Sequence, residues 1–366
     1  MAINPFDNCS SKTCSFRRPD MARVGKLEPL RWKNGVLEAV DSTVLPSRLV
    51  YVRMRSVEQV CDAIRSMKVR GAPLIGVVGA YGLVLAARKI RTKNRDQASR
   101  ELRKLADVLI QTRPTGANLR WAVERVYKAS SGARTVEELE GELRREADSI
   151  LREELEAAHR IGSYGAPLID DDDTVLTHCN AGTLATAGYG TALAVVRAAV
   201  EQGKRVSVVA TETRPLLQGS RLTAFELSRE KIPVKVICDS AAAQLMARGI
   251  VDKVVVGADR ILRTGHVTNK IGTLPIALAA KFYGVPFYVA APISTVDLET
   301  DHSQVVIEER DPDEVLYIGR RRLAPRNVGA LNPAFDITPP DLVTGIITDR
   351  GVVGQPLEEN LRSRFG

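Results

Sequence analysis

The chain has 366 residues, of which 44% are hydrophobic and 26% charged, and this composition excludes a disordered or fibrous chain. Its formal net charge is +8, but acidic residues are interspersed with the basic ones and no long basic tract occurs. We therefore expect a solvated basic surface and no nucleic-acid partner, and the length predicts two domains.

The N-terminal part of the sequence predicts a small β-sheet followed by a mostly helical domain. Residues 30–41 read LRWKNGVLEAVD, which predicts a hairpin that turns at Asn34-Gly35. Residues 48–54 predict another strand. The predicted helices share a helical hydrophobic period and cover residues 57–91 with an interruption, 94–112, 117–129 and 135–162.

Two segments in this part carry further information. For the last predicted helix, Thr135 is the expected N-cap and Glu138 its capping-box partner. The longest uncharged run, residues 71–87, falls short of the about 20 residues that span a bilayer and predicts a buried helix. The N-terminus lacks the layout of a signal peptide, so we expect a cytoplasmic protein without a membrane partner.

The second half of the sequence alternates short apolar runs with helical segments. The predicted strands cover residues 174–178, 205–210, 234–238, 253–257 and 286–290. The predicted helices between them cover residues 184–202, 220–230, 241–249 and 270–283. This alternation predicts an α/β fold with a Rossmann-like, doubly wound parallel sheet. We therefore expect a helical domain over residues 1–162 and a Rossmann-like domain over residues 163–366.

Polar side chains follow each predicted strand at its C-terminal end, which is the edge where ligands bind in an open parallel sheet. Cys179 follows the first strand, and Asp259 follows the fourth. The other polar groups at these strand ends are His178, Asn180, Glu212, Thr213, Arg214, Asp239, Ser240 and Ser294. The sequence therefore predicts a functional site on this edge of the sheet.

The sequence patterns typical of metal and cofactor sites are missing, and we expect neither a metal nor a cofactor. Five cysteines at irregular spacing do not predict a disulfide framework, and Cys9 and Cys14 lack the second pair that a tetrahedral metal site needs. Four histidines without an HExxH pattern do not predict a histidine-rich site. Gly188 and Gly190 match only part of a dinucleotide fingerprint, and no P-loop pattern occurs.

Cys179 and Asp259 each have two interpretations from the residues alone. Free cysteines are commonly buried and inert, but Cys179 stands at a strand end beside the predicted start of a helix, a position that favours a reactive thiolate. Asp259 follows three valines and a Gly-Ala pair. It either caps a helix or pairs with Arg260, or it is partly desolvated and acts as a general acid with a raised pKa.

Further candidates lie in loops or at helix starts, and none is decisive alone. In VRGAPLIG, Arg70 precedes Gly71 and Ala72, whose small size would let a ligand approach the backbone while the guanidinium binds phosphate. A helix break with a surface arginine is an equally good interpretation of this motif. The other candidates are Arg113, Gln218, Asn269 and Lys270.

The chain resembles the methylthioribose-1-phosphate isomerase family, within the wider family that includes the regulatory subunits of translation initiation factor 2B. The resemblance lies in motifs that occur in the same order along the chain. They are VRGAPLIG, TRPTGANL, THCNAGTLATAGYGTALAV, ETRPLLQGSRLTAFEL, VVVGADRI, NKIGT, PFYVAAPISTVD, IEER and NPAFDITP. The likeness runs from about Leu30 to Val353, and residues 1–29 inherit nothing from it.

This resemblance implies an aldose–ketose isomerase of methionine salvage, usually a homodimer, that turns S-methyl-5-thioribose 1-phosphate into S-methyl-5-thioribulose 1-phosphate without a metal or cofactor. It implies Cys179 and Asp259 as the catalytic pair. It also places substrate-binding roles on Arg70, Gly71, Ala72, Arg113, Gln218, Asn269 and Lys270. Two alternatives stay open: an isomerase of ribose 1,5-bisphosphate or 5-deoxyribose 1-phosphate, and a non-catalytic translation-factor subunit, which typically lacks the Cys/Asp pair.

The implied reaction assigns a task to each group. Asp259 would protonate the ring oxygen, and Cys179 would assist hydrogen transfer from C2 to C1. Arg70, Arg113, Lys270 and the helix N-terminus expected after Cys179 would hold the phosphate. Gln218 and Asn269 would bind ring hydroxyls, and an apolar pocket would take the C5 group.

Overall fold

The computed structural model describes residues 27–113 and 116–366, so Cys9 and Cys14 lie outside the described residues. An antiparallel sheet in the order β1-β2-β3 comes first, formed by β1 (Leu30–Lys33), β2 (Val36–Val40) and β3 (Tyr51–Met54). Asn34 and Gly35 form the turn between β1 and β2 with φ angles of 49° and 76°. Positive φ at both positions is typical of a tight hairpin turn, which confirms the predicted hairpin.

A helical layer follows this sheet. It contains α1 (Val57–Arg65), α2 (Ala72–Ala87), α3 (Arg95–Ile110), α4 (Ala117–Ala129) and α5 (Leu139–Gly165). Every residue of α2 is buried, because the other four helices pack around it. A helix that is hydrophobic on all sides belongs in a core, as predicted for residues 71–87. Within the described residues, no helix has both the length and the apolar character needed to cross a bilayer.

The start of α5 differs from the prediction. The helix begins at Leu139, and Glu138 occupies the N-cap position that was expected for Thr135. The Glu138 N–H donates to Thr135 Oγ1 at 3.4 Å, and the Arg134 N–H donates to Glu138 Oε2 at 2.7 Å. These bonds close a turn ahead of the helix, so the predicted capping box was wrong. At its other end α5 runs through residue 162 to Gly165, and the division into two domains stays a prediction.

The second half of the chain contains the alternating strands and helices that were predicted, with additional short strands near its end. In chain order they are β4 (Thr174–Thr177), α6 (Ala192–Glu201), β5 (Ser207–Thr211), α7 (Ala224–Arg229), β6 (Val234–Ile237), α8 (Ala242–Ala247), β7 (Lys253–Val256), β8 (Arg260–Leu262), β9 (Val267–Lys270), α9 (Thr273–Tyr283), β10 (Phe287–Ala290), β11 (Val296–Asp297), α10 (Asp313–Leu316), β12 (Tyr317–Ile318), β13 (Arg321–Arg322), β14 (Phe335–Thr338), β15 (Gly345–Thr348), β16 (Gly351–Gly354) and α11 (Leu357–Phe365).

The main sheet has the strand order β16-β15-β10-β7-β4-β5-β6. Its neighbouring strands run parallel, except that β15 and β16 are antiparallel. The five predicted strands all belong to this sheet, which confirms the Rossmann-like fold. The chain passes from β4 outward to β5 and β6 and then returns to β7 on the other side of β4. The ends of β4 and β7 therefore flank the switch point of the sheet, where ligands bind in such folds.

Three predicted helices begin as α-helices later than the sequence pattern indicates. The one expected from residue 220 starts with a π-helical turn (Gly219–Thr223) before α7. The helix expected from residue 184 begins at Ala192, because a 3₁₀ turn (Thr183–Ala185) and an irregular stretch come first. The helix expected from residue 270 begins at Thr273, because Lys270 ends strand β9. That strand belongs to a smaller sheet in the order β11-β8-β9-β14. Its strands have only two to four residues, too few to show a hydrophobic period in the sequence.

Candidate active site

Cys179 and Asp259 meet at the switch point of the main sheet. Cys179 comes shortly after β4, and Asp259 comes shortly after the neighbouring β7. Both line one small cavity of about 40 Å³, which we call the central cavity. Four other predicted site residues line it as well: Arg70, Gly71, Ala72 and Asn269. The structure thus brings together side chains that lie far apart in the sequence.

Cys179 has an unusual backbone conformation for a residue with a side chain, with φ at 62°. Hydrogen bonds hold both of its backbone groups, because its N–H donates to Thr213 Oγ1 at 2.9 Å and its carbonyl accepts from Thr223 Oγ1 at 2.6 Å. The Cys179 Sγ lies 3.9 Å from Nη2 of Arg70. Left-handed backbone at a non-glycine residue is typical of functional sites, and here it is fixed from both sides.

The Arg70 guanidinium is held beside this sulfur by a neighbouring residue. Its Nη1 donates to Asn180 Oδ1, and its Nη2 donates to the Asn180 carbonyl at 2.9 Å. The Asn180 amide in turn donates to Glu226 Oε1 at 2.9 Å. Arg70 and Asn180 are both buried. Because its orientation is fixed before any ligand arrives, Arg70 is preorganised as an anion-binding group.

The Glu226 carboxylate accepts hydrogen bonds from backbone N–H groups that follow Cys179 in the chain and were expected to bind phosphate. Its carboxylate accepts from the N–H groups of Thr183 and Leu184 at 2.7 and 3.1 Å. It also lies 2.8 Å from Nη2 of Arg197, and both side chains are almost fully buried. At the predicted helix start this carboxylate therefore already fills the anion site. The helix itself, α6, begins later at Ala192, where the N–H groups of Thr191 and Leu193 donate to the Ala181 carbonyl.

A different helix offers a free N-terminus at the central cavity. The N-cap of α2 is Gly71, with φ at 98° and no capping side chain. A Cβ atom at Gly71 would lie 2.4 Å from the Cα of Ala185, so only glycine fits there. The first N–H groups of a helix lack intrahelical partners, and its dipole favours anions. Gly71 and Ala72 both line the cavity, which makes this helix start suitable for a phosphate.

Asp259 has the properties expected of a neutral acid. Burial raises the pKa of its carboxyl, and the nearby cations Lys270, Arg113 and Arg70 only partly oppose this effect. Its backbone N–H donates to the Thr268 carbonyl at 2.9 Å. Among the described residues, none donates a hydrogen bond to its carboxyl. A raised pKa and a face on the cavity suit a general acid near neutral pH.

Asn269 and Lys270, at the end of β9, approach the site from the smaller sheet. The Asn269 amide donates to Thr273 Oγ1 at 3.0 Å while lining the central cavity. The Lys270 Nζ donates to the Ala334 carbonyl at 3.0 Å and lies 4.6 Å from the centre of the Phe335 ring. Burial lowers the pKa of Lys270, whereas the nearby thiol and carboxyl of the catalytic candidates raise it.

His178 is a site residue to which the sequence analysis assigned no role. Its Nε2–H donates to the Ile271 carbonyl at 2.8 Å, so its Nδ1 accepts from Thr211 Oγ1 at 2.7 Å. Burial lowers the pKa of His178 to about 4, so the ring is neutral. Thr211 Oγ1 lies 3.1 Å from Thr213 Oγ1, which accepts from the Cys179 N–H. His178 therefore joins the end of β9 to the backbone of Cys179.

Two larger cavities adjoin the central cavity. One of about 930 Å³ shares Arg70 with it and is lined by Gln218; we call it the Gln218 cavity. The other, of about 210 Å³, shares Ala72 and Asp259 with it and is lined by Arg113; we call it the Phe335 cavity after another lining residue. Gln218 and Arg113 thus line the neighbouring cavities, and the buried Lys270 lines none of the three.

Gln218 and Arg113 each keep an unsatisfied polar atom. Gln218 is buried, and its Oε1 has no hydrogen-bond partner among the described residues. The Nε of Arg113 is also buried without a partner there, although its Nη2 lies 3.5 Å from Glu308 Oε2 and its Nη1 lies 3.3 Å from the sulfur of Met67. Buried polar atoms are rarely left unpaired, so both are candidates for contacts with a ligand.

Comparison with known proteins identifies the chain's relatives. The model of the initiation factor 2 subunit family matches residues 68–355. The chain is similar to a methylthioribose-1-phosphate isomerase of Carboxydothermus hydrogenoformans, at 50% identity over 343 residues that cover 93% of this chain and 99% of the relative. It is also similar to a 5-deoxyribose 1-phosphate isomerase of Moorella thermoacetica, at 49% identity over 92% of this chain and 96% of the relative.

Two solved structures have the same fold. The 5-methylthioribose 1-phosphate isomerase of Pyrococcus horikoshii OT3 superposes with a TM-score of 0.85 at 40% identity, covering 95% of this chain and 98% of that one. A structure described as translation initiation factor eIF-2B, subunit delta, from A. fulgidus gives a TM-score of 0.82 at 48% identity, covering 92% of this chain and 98% of that one.

Proposed function

The chain belongs to the initiation factor 2 subunit family, and we propose that within it the protein is an aldose–ketose isomerase that converts S-methyl-5-thioribose 1-phosphate to S-methyl-5-thioribulose 1-phosphate. Relatives at about 50% identity over nearly the whole chain carry the name of this enzyme. The observation that carries the proposal is the presence of Cys179 and Asp259 in one small cavity at the switch point.

The first step of the proposed reaction is opening of the sugar ring. The phosphate on O1 prevents spontaneous opening, so an acid has to protonate the ring oxygen as the bond from C1 to that oxygen breaks. A neutral Asp259 suits this step, because burial raises the pKa of its carboxyl. The ring oxygen takes the electron pair of the broken bond and this proton and becomes the C4 hydroxyl of the open chain. C1 is left as an oxocarbenium centre that still carries the phosphate oxygen.

The second step moves hydrogen from C2 to C1, while the C2 hydroxyl loses its proton to the Asp259 carboxylate, which restores the acid, and becomes a ketone. Cys179 would either carry the hydrogen as a proton or stabilise charge while it passes directly as hydride. The Arg70 guanidinium, 3.9 Å from the sulfur, would stabilise negative charge on the sulfur or on the phosphate. All atoms stay within substrate and protein, so this proposal includes neither a metal nor an organic cofactor.

Binding of the substrate is proposed to use the remaining site residues. The free N-terminus of α2 at Gly71 and Ala72, together with Arg70, suits the phosphate. Lys270 and Arg113 add positive charge near Asp259, and both remain proposed ligands of the phosphate. The buried amides of Gln218 and Asn269 suit ring hydroxyls, since a carboxamide can both donate and accept a hydrogen bond.

The proposal is tested by incubating purified protein with S-methyl-5-thioribose 1-phosphate and following the ketose signal by NMR. We expect the reaction to proceed until the aldose and the ketose reach equilibrium. In D₂O, deuterium at C1 of the product would show the proton route, whereas its absence would show hydride transfer or proton transfer without solvent exchange. No ketose at high protein concentration would contradict the proposed function.

Two other functions share this scaffold and are measured in the same experiment. The similarity to a 5-deoxyribose 1-phosphate isomerase favours that substrate as a second candidate, and ribose 1,5-bisphosphate completes the series. A non-catalytic translation-factor subunit would turn over none of the three. The Cys/Asp pair in one cavity supports the enzyme over such a subunit.

We also propose that the protein acts in the cytoplasm as a homodimer on its small phosphorylated substrate. The family resemblance supports the dimer, which is tested by light scattering after gel filtration. A chain mass of 39.9 kDa predicts a particle of twice that mass. A particle of single-chain mass at micromolar concentration would contradict the dimer.

A further inference from the structure

We infer that Glu154, which lies in the helical layer, is a positioning residue for the reaction. Through the hydroxyl of Ser294 and the amide of Asn118 it holds two walls of the active site together. We call these three side chains the Glu154 latch. The inference rests on the proposed function and adds to it a buried acidic group that takes no part in the proposed chemistry.

The latch is a chain of hydrogen bonds between three separate elements. Asn118 belongs to α4, Glu154 belongs to α5, and Ser294 belongs to a 3₁₀ turn (Ile293–Thr295) that follows β10. The Asn118 Nδ2 donates to Ser294 Oγ at 3.1 Å, and the Ser294 hydroxyl donates to Glu154 Oε1 at 3.0 Å. A hydroxyl has a single hydrogen to donate, so Glu154 is the acceptor that orients Ser294 toward the amide.

Each end of the latch lies close in the chain to a wall of the site. Pro292, two residues before Ser294, lines the central cavity. Gly116, two residues before Asn118, is the N-cap of α4 and lines the Phe335 cavity. The bond between Asn118 and Ser294 therefore joins one wall to the other. A shift of about 1 Å in such a wall can lower the rate by about 10²-fold.

The same 3₁₀ turn is also held through its backbone. The Ile293 N–H donates to Asp349 Oδ1 at 2.8 Å, and Asp349 Oδ2 lies 3.8 Å from Nη2 of Arg160. Arg160 belongs to α5, as Glu154 does. Because this second connection does not involve the Ser294 hydroxyl, loss of the latch is expected to shift the turn and to leave the fold intact.

Glu154 is an acceptor that lowers stability at neutral pH. Its pKa is raised from 4.5 to about 7, chiefly by burial, against the bond from Ser294 and with the help of the nearby acidic groups Asp349 and Glu153. A carboxyl whose pKa is higher in the folded chain than in the unfolded chain loses stability as the pH rises from the unfolded value through the folded one. A stability cost of this kind is typical of residues that serve activity.

Ser294→Ala tests the latch directly. The substitution removes the hydroxyl that joins Asn118 to Glu154, and we expect kcat/KM for S-methyl-5-thioribose 1-phosphate to fall by about tenfold or more. Circular dichroism should show an unchanged fold. Thr295→Val is the matched control, because Thr295 is the buried next residue and its Oγ1 has no hydrogen-bond partner among the described residues. A normal kcat/KM in Ser294→Ala, or an equal loss in the control, would overturn the inference.

Two variants of Glu154 separate positioning from a general structural role. Glu154→Gln keeps an oxygen that accepts from Ser294, so it should retain most of kcat/KM. Glu154→Leu removes the acceptor and should lose as much as Ser294→Ala. The double variant with Ser294→Ala should be no worse than either single variant, because one chain of bonds is broken in each. Equal losses in Glu154→Gln and Glu154→Leu, or additive losses in the double variant, would contradict the latch.

A measurement without substrate tests the buried carboxyl itself. Glu154→Gln has no charge to bury, so its gain in Tm over the wild type should be larger at pH 8 than at pH 5. Glu153→Gln, at the neighbouring position, should show no such gain. A gain that does not increase with pH would remove the buried acceptor on which the latch depends. A wild-type protein without turnover would instead overturn the proposed function, and the positioning role with it, whatever the Tm values show.

Discussion

Cys179 and Asp259 face the same cavity, but the protein supports them by different means. On the sulfur side, hydrogen bonds hold both backbone groups of Cys179, and Asn180 fixes the guanidinium of Arg70. On the carboxyl side, none of the described residues donates a hydrogen bond to the Asp259 carboxyl group, and burial raises its pKa. The hydrogen bonds on the sulfur side thus fix the positions of Cys179 and the Arg70 guanidinium. Burial on the carboxyl side instead favours the protonated form of Asp259.

The largest effects are expected from replacing the two groups themselves. Cys179→Ser and Asp259→Asn should each lower kcat by about 10³-fold or more, because each removes a group that acts on the reacting atoms. Circular dichroism should show an unchanged fold. Cys238→Ser is the control, since Cys238 is an exposed free thiol away from the cavity. Near-normal kcat in both variants would contradict the catalytic assignment.

The network on the sulfur side should carry stability as well as position. Glu226→Ala leaves the buried Arg197 with Glu230 as its ion-pair partner and strips the acceptor from three N–H donors. We expect the free energy of unfolding to fall by about 3 kcal/mol or more, measured with urea. Glu153→Ala breaks an exposed ion pair with Arg125 and should cost at most about 1 kcal/mol. Equal losses of unfolding free energy in the two variants would show that the buried network stabilises the protein no more than an exposed ion pair does.

Arg70→Ala separates binding from chemistry on the same side. Because Arg70 is proposed to hold the phosphate in both the ground state and the transition state, its loss should raise KM by about 10- to 100-fold with a smaller change in kcat. Arg100→Ala, an exposed arginine of α3, should leave both constants unchanged. An unchanged KM in Arg70→Ala would place the phosphate elsewhere.

The carboxyl side predicts a pH dependence of activity. Asp259 has to be protonated to act as an acid, so kcat should fall about tenfold per pH unit above its pKa in the complex. Burial raises this pKa, so the fall comes at a higher pH than for an ordinary aspartate. The residual activity of Asp259→Asn should lack this decline. A wild-type kcat that rises with pH through the same ionisation would make Asp259 a base.

The position of the site was predictable because parallel strands end at a common edge. His178, Cys179 and Asp259 follow apolar runs in the sequence, and that pattern alone places them on one side of the sheet. The pairing of Cys179 with Asp259 required the return of the chain to β7 beside β4, which the order of predicted strands does not contain. The resemblance to a known family predicted this pair, which the local sequence pattern did not.

Other features of the site could not be predicted from the sequence, because they depend on contacts between segments that are far apart in the chain. The N–H groups after Cys179 look free in the sequence, but Glu226 from a later helix occupies them. The phosphate site is therefore expected at the start of α2, where Gly71 has no capping side chain. The Phe335 cavity was equally hidden in the sequence. Val306, which lines it, belongs to no helix or strand, and β14, which contains Phe335, is only four residues long.

The left-handed backbone of Cys179 sets stability against chemistry at a single position. Such a conformation disfavours any side chain by about 1–2 kcal/mol relative to glycine, so a glycine there would relax the chain. It would also delete the sulfur. The proposed catalytic role of Cys179 therefore requires a backbone conformation that costs stability, and Cys179→Gly should be more stable but inactive.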